Sequence, residues 1–175
     1  QSKTAEHLGI LQQSNLKLNI RIEERLQKSK NAFFSMACQG VHPQGVNPLV
    51  SADLYRKIII PTALYGCELW DDLAPKDLTN INKFQHFISK KIQGFSTRTR
   101  SDMAESMLGL NRLSSVVEKQ KLLFLYKILS LPNNCITKEI FLRKYYLYHS
   151  CKSAVTRGFI PDICILMRKY NLTDI

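Results

Sequence analysis

The stretch LTNINKFQHFISKKIQG, residues 78–94, repeats mostly apolar side chains at intervals of three and four residues. The repeated positions are Leu78, Ile81, Gln85, Ile88 and Ile92. Because an α-helix turns once in about 3.6 residues, this spacing places them on one helical face. Gly94 follows, and glycine readily adopts the left-handed conformation that ends many helices. The sequence therefore predicts an amphipathic helix that ends at Gly94.

A similar pattern precedes this stretch. Its apolar or small side chains are Ile22, Leu26, Ser29, Phe33 and Met36, which predict a helix that Gly40 ends. The following segment GVHPQGVNP, residues 40–48, holds two glycines and two prolines and therefore predicts a loop. Asn47 or Ser51 can cap the next helix, and Pro61 predicts a kink or a break within it.

The rest of the chain is also helical by pattern. Further helices are predicted at residues 102–108, from 115 to 132, at 137–149 and at 161–170. Ser115 and Glu118 have the spacing of a capping box, which would open the longest of them. Only the first dozen residues suit a strand. The expected fold is therefore mainly α, a helical bundle with at most a short N-terminal strand.

The charge balance indicates a polyanionic partner. The 175 residues include 25 Lys and Arg against 14 Asp and Glu, a net charge of +11. Such an excess raises affinity for nucleic acid through long-range attraction and phosphate contacts. The alternative is a basic, solvated surface that has no dedicated ligand. Nucleic acid is the leading partner class.

The cysteines and the apolar runs bear on the cellular location of the protein. Its five cysteines form no CxxC pair, so neither a disulfide framework nor a zinc site is predicted. The longest apolar run, residues 122–131, is interrupted by Lys127 and is too short to cross a bilayer. The chain begins Gln1-Ser2-Lys3, without an initiator methionine. We expect part of a longer intracellular polypeptide, nuclear or cytoplasmic, with no membrane contact.

Short motifs follow one another in a characteristic order. They are Glu6–Ile10 (EHLGI), Arg21–Arg25 with Ala32 and Phe33, Leu54-Tyr55, Ile60-Pro61, Leu64-Tyr65-Gly66, Trp70, Leu78, Gln85, Ile92 and Gly94. This order resembles the end of the palm and the downstream region of reverse transcriptases of non-LTR, LINE-type retrotransposons. The resemblance covers residues 6–110 and is thinner beyond Leu113.

The resemblance implies a division of the chain and a partner. Residues 1–14 would be the end of the palm, residues 15–110 a thumb-like helical bundle with a three-helix core, and residues 111–175 a C-terminal helical extension. In this family the thumb lies along the template-primer duplex. The implied partners are an RNA/DNA duplex and the remainder of the reverse transcriptase. The parent polymerase would need Mg²⁺, whereas no cofactor is expected in this chain.

No catalytic centre is predicted. Asp71-Asp72 could be the second half of a YADD-like motif, but no strand-forming run flanks the pair. Polymerisation needs carboxylates that hold two metal ions about 4 Å apart, and reverse transcriptases present them from a strand-turn-strand hairpin. Phosphate-binding glycine loops, GxSxG, HExxH and Cys-His metal spacings are absent from the sequence. We therefore assign no catalytic and no metal-binding residue.

Phosphate contacts are expected from two groups of basic residues. The first, the basic segment, comprises Lys83, Lys90, Lys91, Arg98 and Arg100 in a stretch without acidic residues. The second, the basic stripe, comprises Arg21, Arg25 and Lys28 at helical spacing. Lys and Arg bind phosphates without reading bases, which suits a surface that grips a duplex. The alternative for either group is a solvated helix face.

Aromatic residues allow two interpretations. Residues 143–157 mix four basic residues with Tyr145, Tyr146 and Tyr148, which suits single-stranded bases. The competing interpretation places two of these three tyrosines in the core. Trp70, Phe33, Phe34, Phe84 and Phe87 are expected to pack inside the bundle.

Together these patterns predict a non-catalytic piece of a reverse transcriptase that grips and positions the template-primer duplex. The alternative is a helical protein-interaction module, or a decayed retroelement remnant, whose basic surface is incidental. The salt dependence of duplex binding separates the two, because phosphate contacts release counterions and an interaction module does not.

Overall fold

The computed structural model describes residues 5–7, 10–12, 18–70, 73–150 and 158–172, with side chains from Ile22 onward. These residues are mainly helical, which confirms the predicted fold class. The helices are α1 (Leu18–Cys38), α2 (Pro48–Leu54), α3 (Ile60–Ala63), α4 (Pro75–Gln93), α5 (Ser101–Met107), α6 (Leu113–Leu129), α7 (Ile136–Ser150) and α8 (Phe159–Lys169). Within the described residues, no helix is long and apolar enough to cross a membrane.

Two short strands lie near the N-terminus. Strand β1 (Ala5–His7) pairs antiparallel with strand β2 (Ile10–Gln12), and Ala5 lies opposite Gln12. The sequence allowed a short strand at this place, and the structure has two strands of three residues each.

The chain forms two compact units. Unit 1 comprises Gln1–Gly66 and Ala74–Ser115, and unit 2 comprises Cys67–Leu73 and Val116–Ile175. In unit 1, α4 packs against α1, α2 and α5. In unit 2, the core joins α6, α7 and α8 through Leu125, Ile128, Phe141, Ile160, Ile163, Cys164, Leu166 and Met167. The division into palm end, thumb-like bundle and extension stays a prediction.

The core of unit 1 follows the predicted helical faces. Ile22, Leu26 and Phe33 of α1 are buried, as are Ile81 and Ile88 of α4. α4 starts at Pro75 and is followed by Gly94, whose φ of 70° confirms the predicted left-handed cap. The amphipathic pattern of residues 78–94 was therefore sufficient to identify the central helix of this unit.

The helix that contains Pro61 is irregular just before the proline. α2 begins after Asn47, whose side chain accepts a hydrogen bond from the Leu49 amide at 2.8 Å, so Asn47 and not Ser51 is the cap. A π-helical turn, Tyr55–Ile59, separates α2 from α3, and the Ile60 amide donates to the Tyr55 carbonyl. Pro61 lacks an amide proton, and this wider turn is the irregularity expected there.

The start of α6 differs from the prediction. The helix begins at Leu113, so the proposed capping box of Ser115 and Glu118 is wrong. The Leu113 amide instead donates to Gln85 Oε1 at 2.9 Å, and the Ser114 amide to Asn82 Oδ1 at 3.2 Å. Two side chains of α4 therefore satisfy the first amides of α6, which normally need caps. The sequence next to the start of α6 gives no signal for these caps, because they come from α4.

Candidate nucleic-acid interface

α4 presents two chemically different faces. Ile81, Ile88 and Ile92 are almost completely buried on one face. Lys83 and Lys91 are exposed on the other, and Lys90 is partly exposed. Because the apolar face is fixed in the core of unit 1, the helix holds its lysines in a defined place on the surface.

The first turn of α4 is stabilised locally. Pro75 occupies the first turn, where its missing amide proton costs nothing. The Ala74 amide donates to Asp77 Oδ2 at 3.3 Å, and Asp77 also places a negative charge at the positive end of the helix dipole. Asp77 is buried. The structure therefore gives Asp77 the structural role that its position at the helix start predicts.

The lysines of the basic segment have few internal partners. Lys90 Nζ donates to the Thr97 carbonyl at 3.1 Å, which ties the end of α4 to the following loop. Lys91 Nζ lies 5.9 Å from the centroid of the Phe87 ring. In the part of the chain that the structure describes, none of Lys83, Lys90 and Lys91 forms a salt bridge. Their charges are therefore available to an external anion.

The two arginines of the basic segment differ. Arg98 is exposed in the loop after α4, and its amide donates to Ser96 Oγ at 3.3 Å. Arg100 donates to both carboxylate oxygens of Asp102, at 3.2 and 2.6 Å. This contact lowers the pKa of Asp102 and raises that of Arg100. A phosphate therefore has to compete with Asp102 for Arg100 but not for Arg98.

The basic stripe on α1 is more strongly engaged within the protein. The guanidinium carbon of Arg25 lies 5.0 Å from the centroid of the Tyr65 ring. Lys28 Nζ lies 2.7 Å from Glu24 Oε1, one turn earlier on the same helix. The side chain of Arg21 lies outside the described residues. The structure thus brings the stripe against other groups of unit 1.

A groove between α1 and α4, the α1–α4 groove, was not predicted. α1 contributes Glu23, Leu26, Gln27 and Lys30, and α4 contributes Asn80, Lys83, Phe84 and Phe87. Its volume is about 480 Å³. Lys30 Nζ lies 5.9 Å from the Phe87 ring centroid, as Lys91 does. Sequence reasoning missed Lys30 because only the helix pairing brings it near Lys83.

The expected packing of the aromatic residues is confirmed for some and wrong for one. Trp70, Phe33 and Phe84 are buried. Phe34 is 45% exposed, and its ring meets the partly exposed ring of Phe87 edge to face, with centroids 6.1 Å apart. An aromatic surface therefore lies beside the lysines of α4.

The tyrosines of α7 follow the interpretation that places two of them in the core. Tyr145 and Tyr148 pack against the core of unit 2, and Tyr145 stacks on Phe141 with centroids 6.1 Å apart. Tyr146 is 70% exposed. Two of the three tyrosines are thus packing residues. Lys152 and Arg157, the basic partners proposed for them, lie outside the described residues.

The ionisable groups provide no metal site in the part of the chain that the structure describes. Asp71 and Asp72 lie outside it. Among the described residues, no group of three or more His, Cys, Asp and Glu could hold a metal ion. His86 Nε2 lies 3.3 Å from Glu105 Oε1, and burial raises the pKa of the Glu105 carboxyl. This pair joins α4 to α5.

No protein-family model, no curated protein and no solved structure matches this chain. The fold and the candidate site define a mainly helical, strongly basic protein in which one helix of unit 1 and the loop that follows it carry a cluster of five of the 25 cations. The particular function therefore rests on what that cluster can bind.

Proposed function

We propose that this chain is the thumb-like, non-catalytic part of a non-LTR retrotransposon reverse transcriptase, and that it grips the template-primer duplex. The observation that carries the proposal is the basic segment on and after α4. It combines five cations with an anchored helix, and among the described residues only Arg100 of the five pairs with a carboxylate, that of Asp102. A duplex presents phosphates at regular spacing, and cations carried by one anchored helix and its following loop can contact several of them.

The order of sequence motifs supports the same proposal. The motif order fits a segment that follows the palm in the chain and packs its helices along the duplex that the palm holds. In this proposal the chain performs no chemistry. It positions the duplex for the remainder of the polypeptide, whose carboxylates would hold Mg²⁺.

Salt dependence of binding tests the proposal. A fluorescently labelled primer-template duplex is titrated with the purified chain at increasing salt concentrations, and the logarithm of the binding constant is plotted against the logarithm of the salt concentration. Each phosphate contact should contribute a slope of about −0.9. A duplex of unrelated sequence should give nearly the same affinity, because phosphate contacts carry no base information. Weak binding with a slope near zero would contradict the proposal.

One observation favours the alternative of a protein-interaction module. Ile136, Ile140 and Leu147 are 70%, 50% and 47% exposed on α7 of unit 2. Exposed apolar side chains at helical spacing are typical of a surface that contacts another protein. Under this alternative the basic segment would be incidental, and duplex binding would show little salt dependence.

A further inference from the structure

The α1–α4 groove has the size and the lining of a small-ligand site. Each helix supplies four side chains at positions i, i+3, i+4 and i+7, which lie along one face of a helix. The groove volume of about 480 Å³ falls within the range, roughly 300–1,000 Å³, that is usual for such sites. The groove is therefore formed by two packed helices and not by a loop.

Its base is apolar and includes an aromatic ring. Leu26 and Phe84 are buried, and Phe87 is partly exposed beside them. Lys30 Nζ and Lys91 Nζ both lie 5.9 Å from the Phe87 centroid. This distance is near the outer limit of about 6 Å for a cation–π contact, so these ammonium groups interact only weakly with the ring. An aromatic ligand can displace them from the ring and still keep them near its phosphate.

The polar groups of the groove suit an anion that carries a hydrogen-bonding ring. Lys30 and Lys83 line it and Lys91 lies next to it, against the single lining carboxylate of Glu23. The side-chain amide of Asn80 can donate and accept hydrogen bonds, as the edges of nucleic-acid bases require, and Gln27, whose Nε2 donates to Asn31 Oδ1 at 3.0 Å, can accept through its Oε1. An acidic peptide would use the lysines but would leave the ring and the amides without a role.

We propose that the α1–α4 groove binds one unpaired nucleotide of a nucleic-acid strand. The base lies against Phe87, and the backbone phosphate lies between Lys30 and Lys83. Stacking on an aromatic ring combined with a basic rim is how proteins hold single-stranded nucleic acid without reading its sequence. This inference rests on the proposed function for the class of ligand, and it adds a site for a strand that leaves the duplex.

Two labelled DNA probes test the inference. One is a blunt duplex, and the other is the same duplex with a short single-stranded overhang. Both are titrated with the full chain in fluorescence anisotropy experiments. The wild-type chain should bind the overhang duplex more tightly. Phe87→Leu, which keeps an apolar side chain but removes the ring, should reduce only this preference, by about five- to tenfold, near the lower end of what a stacked base contributes.

A charge variant provides a second test that does not depend on packing. Lys30 lines the groove, is partly exposed and belongs to neither basic group, so Lys30→Gln should leave the circular dichroism spectrum and duplex binding unchanged. The overhang duplex should bind more tightly than the blunt duplex, and this difference in affinity has its own salt slope. The substitution should reduce the magnitude of that slope by about 0.7, the value for one phosphate on a single strand. Lys119→Gln on α6 removes the same charge elsewhere, and Tyr126→Leu removes an exposed ring; both should preserve the preference for the overhang.

The outcomes separate this inference from the proposed function. Equal binding of both probes by the wild-type chain, or an unchanged preference in Phe87→Leu and Lys30→Gln, would overturn the proposed nucleotide site while leaving duplex binding intact. Failure of the wild-type chain to bind either probe would overturn both. Loss of the preference in the two groove variants alone, with normal binding to the blunt duplex, is the result that the inference predicts.

Discussion

The basic segment and the basic stripe look alike in the sequence and differ in the structure. Each is a short series of Lys and Arg on or beside a helix of unit 1. In the stripe, Arg25 lies over the Tyr65 ring and Lys28 pairs with Glu24. In the segment, Arg100 is the one residue that pairs with a carboxylate within the described part of the chain. The count of cations therefore overstates how many of them an external anion can reach.

The difference has two causes, and only one is visible in the sequence. Glu24 precedes Lys28 by one helical turn, so that ion pair could be predicted from spacing. Tyr65 lies forty residues after Arg25 in the sequence, and only the packing of unit 1 brings them together. In the segment, Arg100 pairs with Asp102 and Lys91 Nζ lies 5.9 Å from the Phe87 ring centroid, whereas Lys83 and Arg98 make neither kind of contact within the described residues.

The largest expected effect comes from breaking the anchor of the segment. Ile88 is completely buried, so Ile88→Ala should lower the free energy of unfolding by about 2–5 kcal/mol through lost contacts and a cavity. Ile58, which is 43% exposed, offers the same substitution on the surface, and Ile58→Ala should change stability by less than about 0.5 kcal/mol. Urea denaturation measures both. Equal effects would show that the buried face of α4 is wrongly assigned.

The next effect concerns the amide that joins α4 to the start of α6. Gln85 is 1% exposed; its Nε2 donates to the Asn111 carbonyl at 2.9 Å, and its Oε1 accepts from the Leu113 amide at 2.9 Å. Gln85→Leu leaves these backbone groups without partners and should cost about 1–3 kcal/mol. Gln39→Leu, at an exposed position, is the matched control. A neutral result for Gln85→Leu would mean that the amide does not cap α6.

Two single substitutions compare a cation without a carboxylate partner with one that has such a partner. Arg98→Ala should reduce the salt slope for duplex binding by about 0.9, the value for one phosphate contact. Arg100→Ala should reduce it by less, because Asp102 already holds the guanidinium. Asp102→Asn should then increase the slope by releasing Arg100. If Asp102→Asn leaves the slope unchanged, Arg100 does not face the duplex.

The smallest expected effect is a change in pH dependence at the contact of α4 with α5. Burial raises the pKa of Glu105, although His86 and Arg112 oppose this and Asp102 adds to it. The folded chain therefore keeps a proton that the unfolded chain has released. The stability gained this way is complete below the ordinary glutamate pKa and is lost as the pH rises through the folded-state value. Glu105→Gln should flatten this decline.

Urea denaturation across that pH range measures the effect. Glu139→Gln replaces an exposed glutamate on α7 and should leave the decline as in the wild type. If Glu105→Gln retains the full pH dependence, then another group causes it.

Helical periodicity predicted the elements better than their ends. The spacing from Leu78 to Gly94 located α4 and its cap, because both signals are local. The start of α6 was wrong because Gln85 and Asn82, about thirty residues away, supply its first acceptors. The local candidate Glu118 instead binds Lys169 Nζ at 2.6 Å within unit 2. Spacing of side chains along the chain cannot reveal such distant partners.

The sequence also predicted only part of the candidate site. An acid-free stretch identified Lys83, Lys91 and Arg98 as exposed cations. The α1–α4 groove was not predictable, because Lys30 and Phe87 meet only when the two helices pack. The contribution of a phenylalanine to a surface depends on which neighbours cover it, and periodicity alone does not specify them.

The basic segment and the basic stripe can be compared directly in one duplex-binding assay. The quadruple variant Lys90→Ala, Lys91→Ala, Arg98→Ala and Arg100→Ala is titrated with a primer-template duplex beside the triple variant Arg21→Ala, Arg25→Ala and Lys28→Ala. The quadruple variant should bind every duplex sequence more weakly, with a salt slope reduced by up to about 3.6 if all four residues contact phosphates. The triple variant should stay close to the wild type. Loss of binding in the triple variant, with wild-type binding in the quadruple variant, would contradict the assignment of the duplex-binding face to α4.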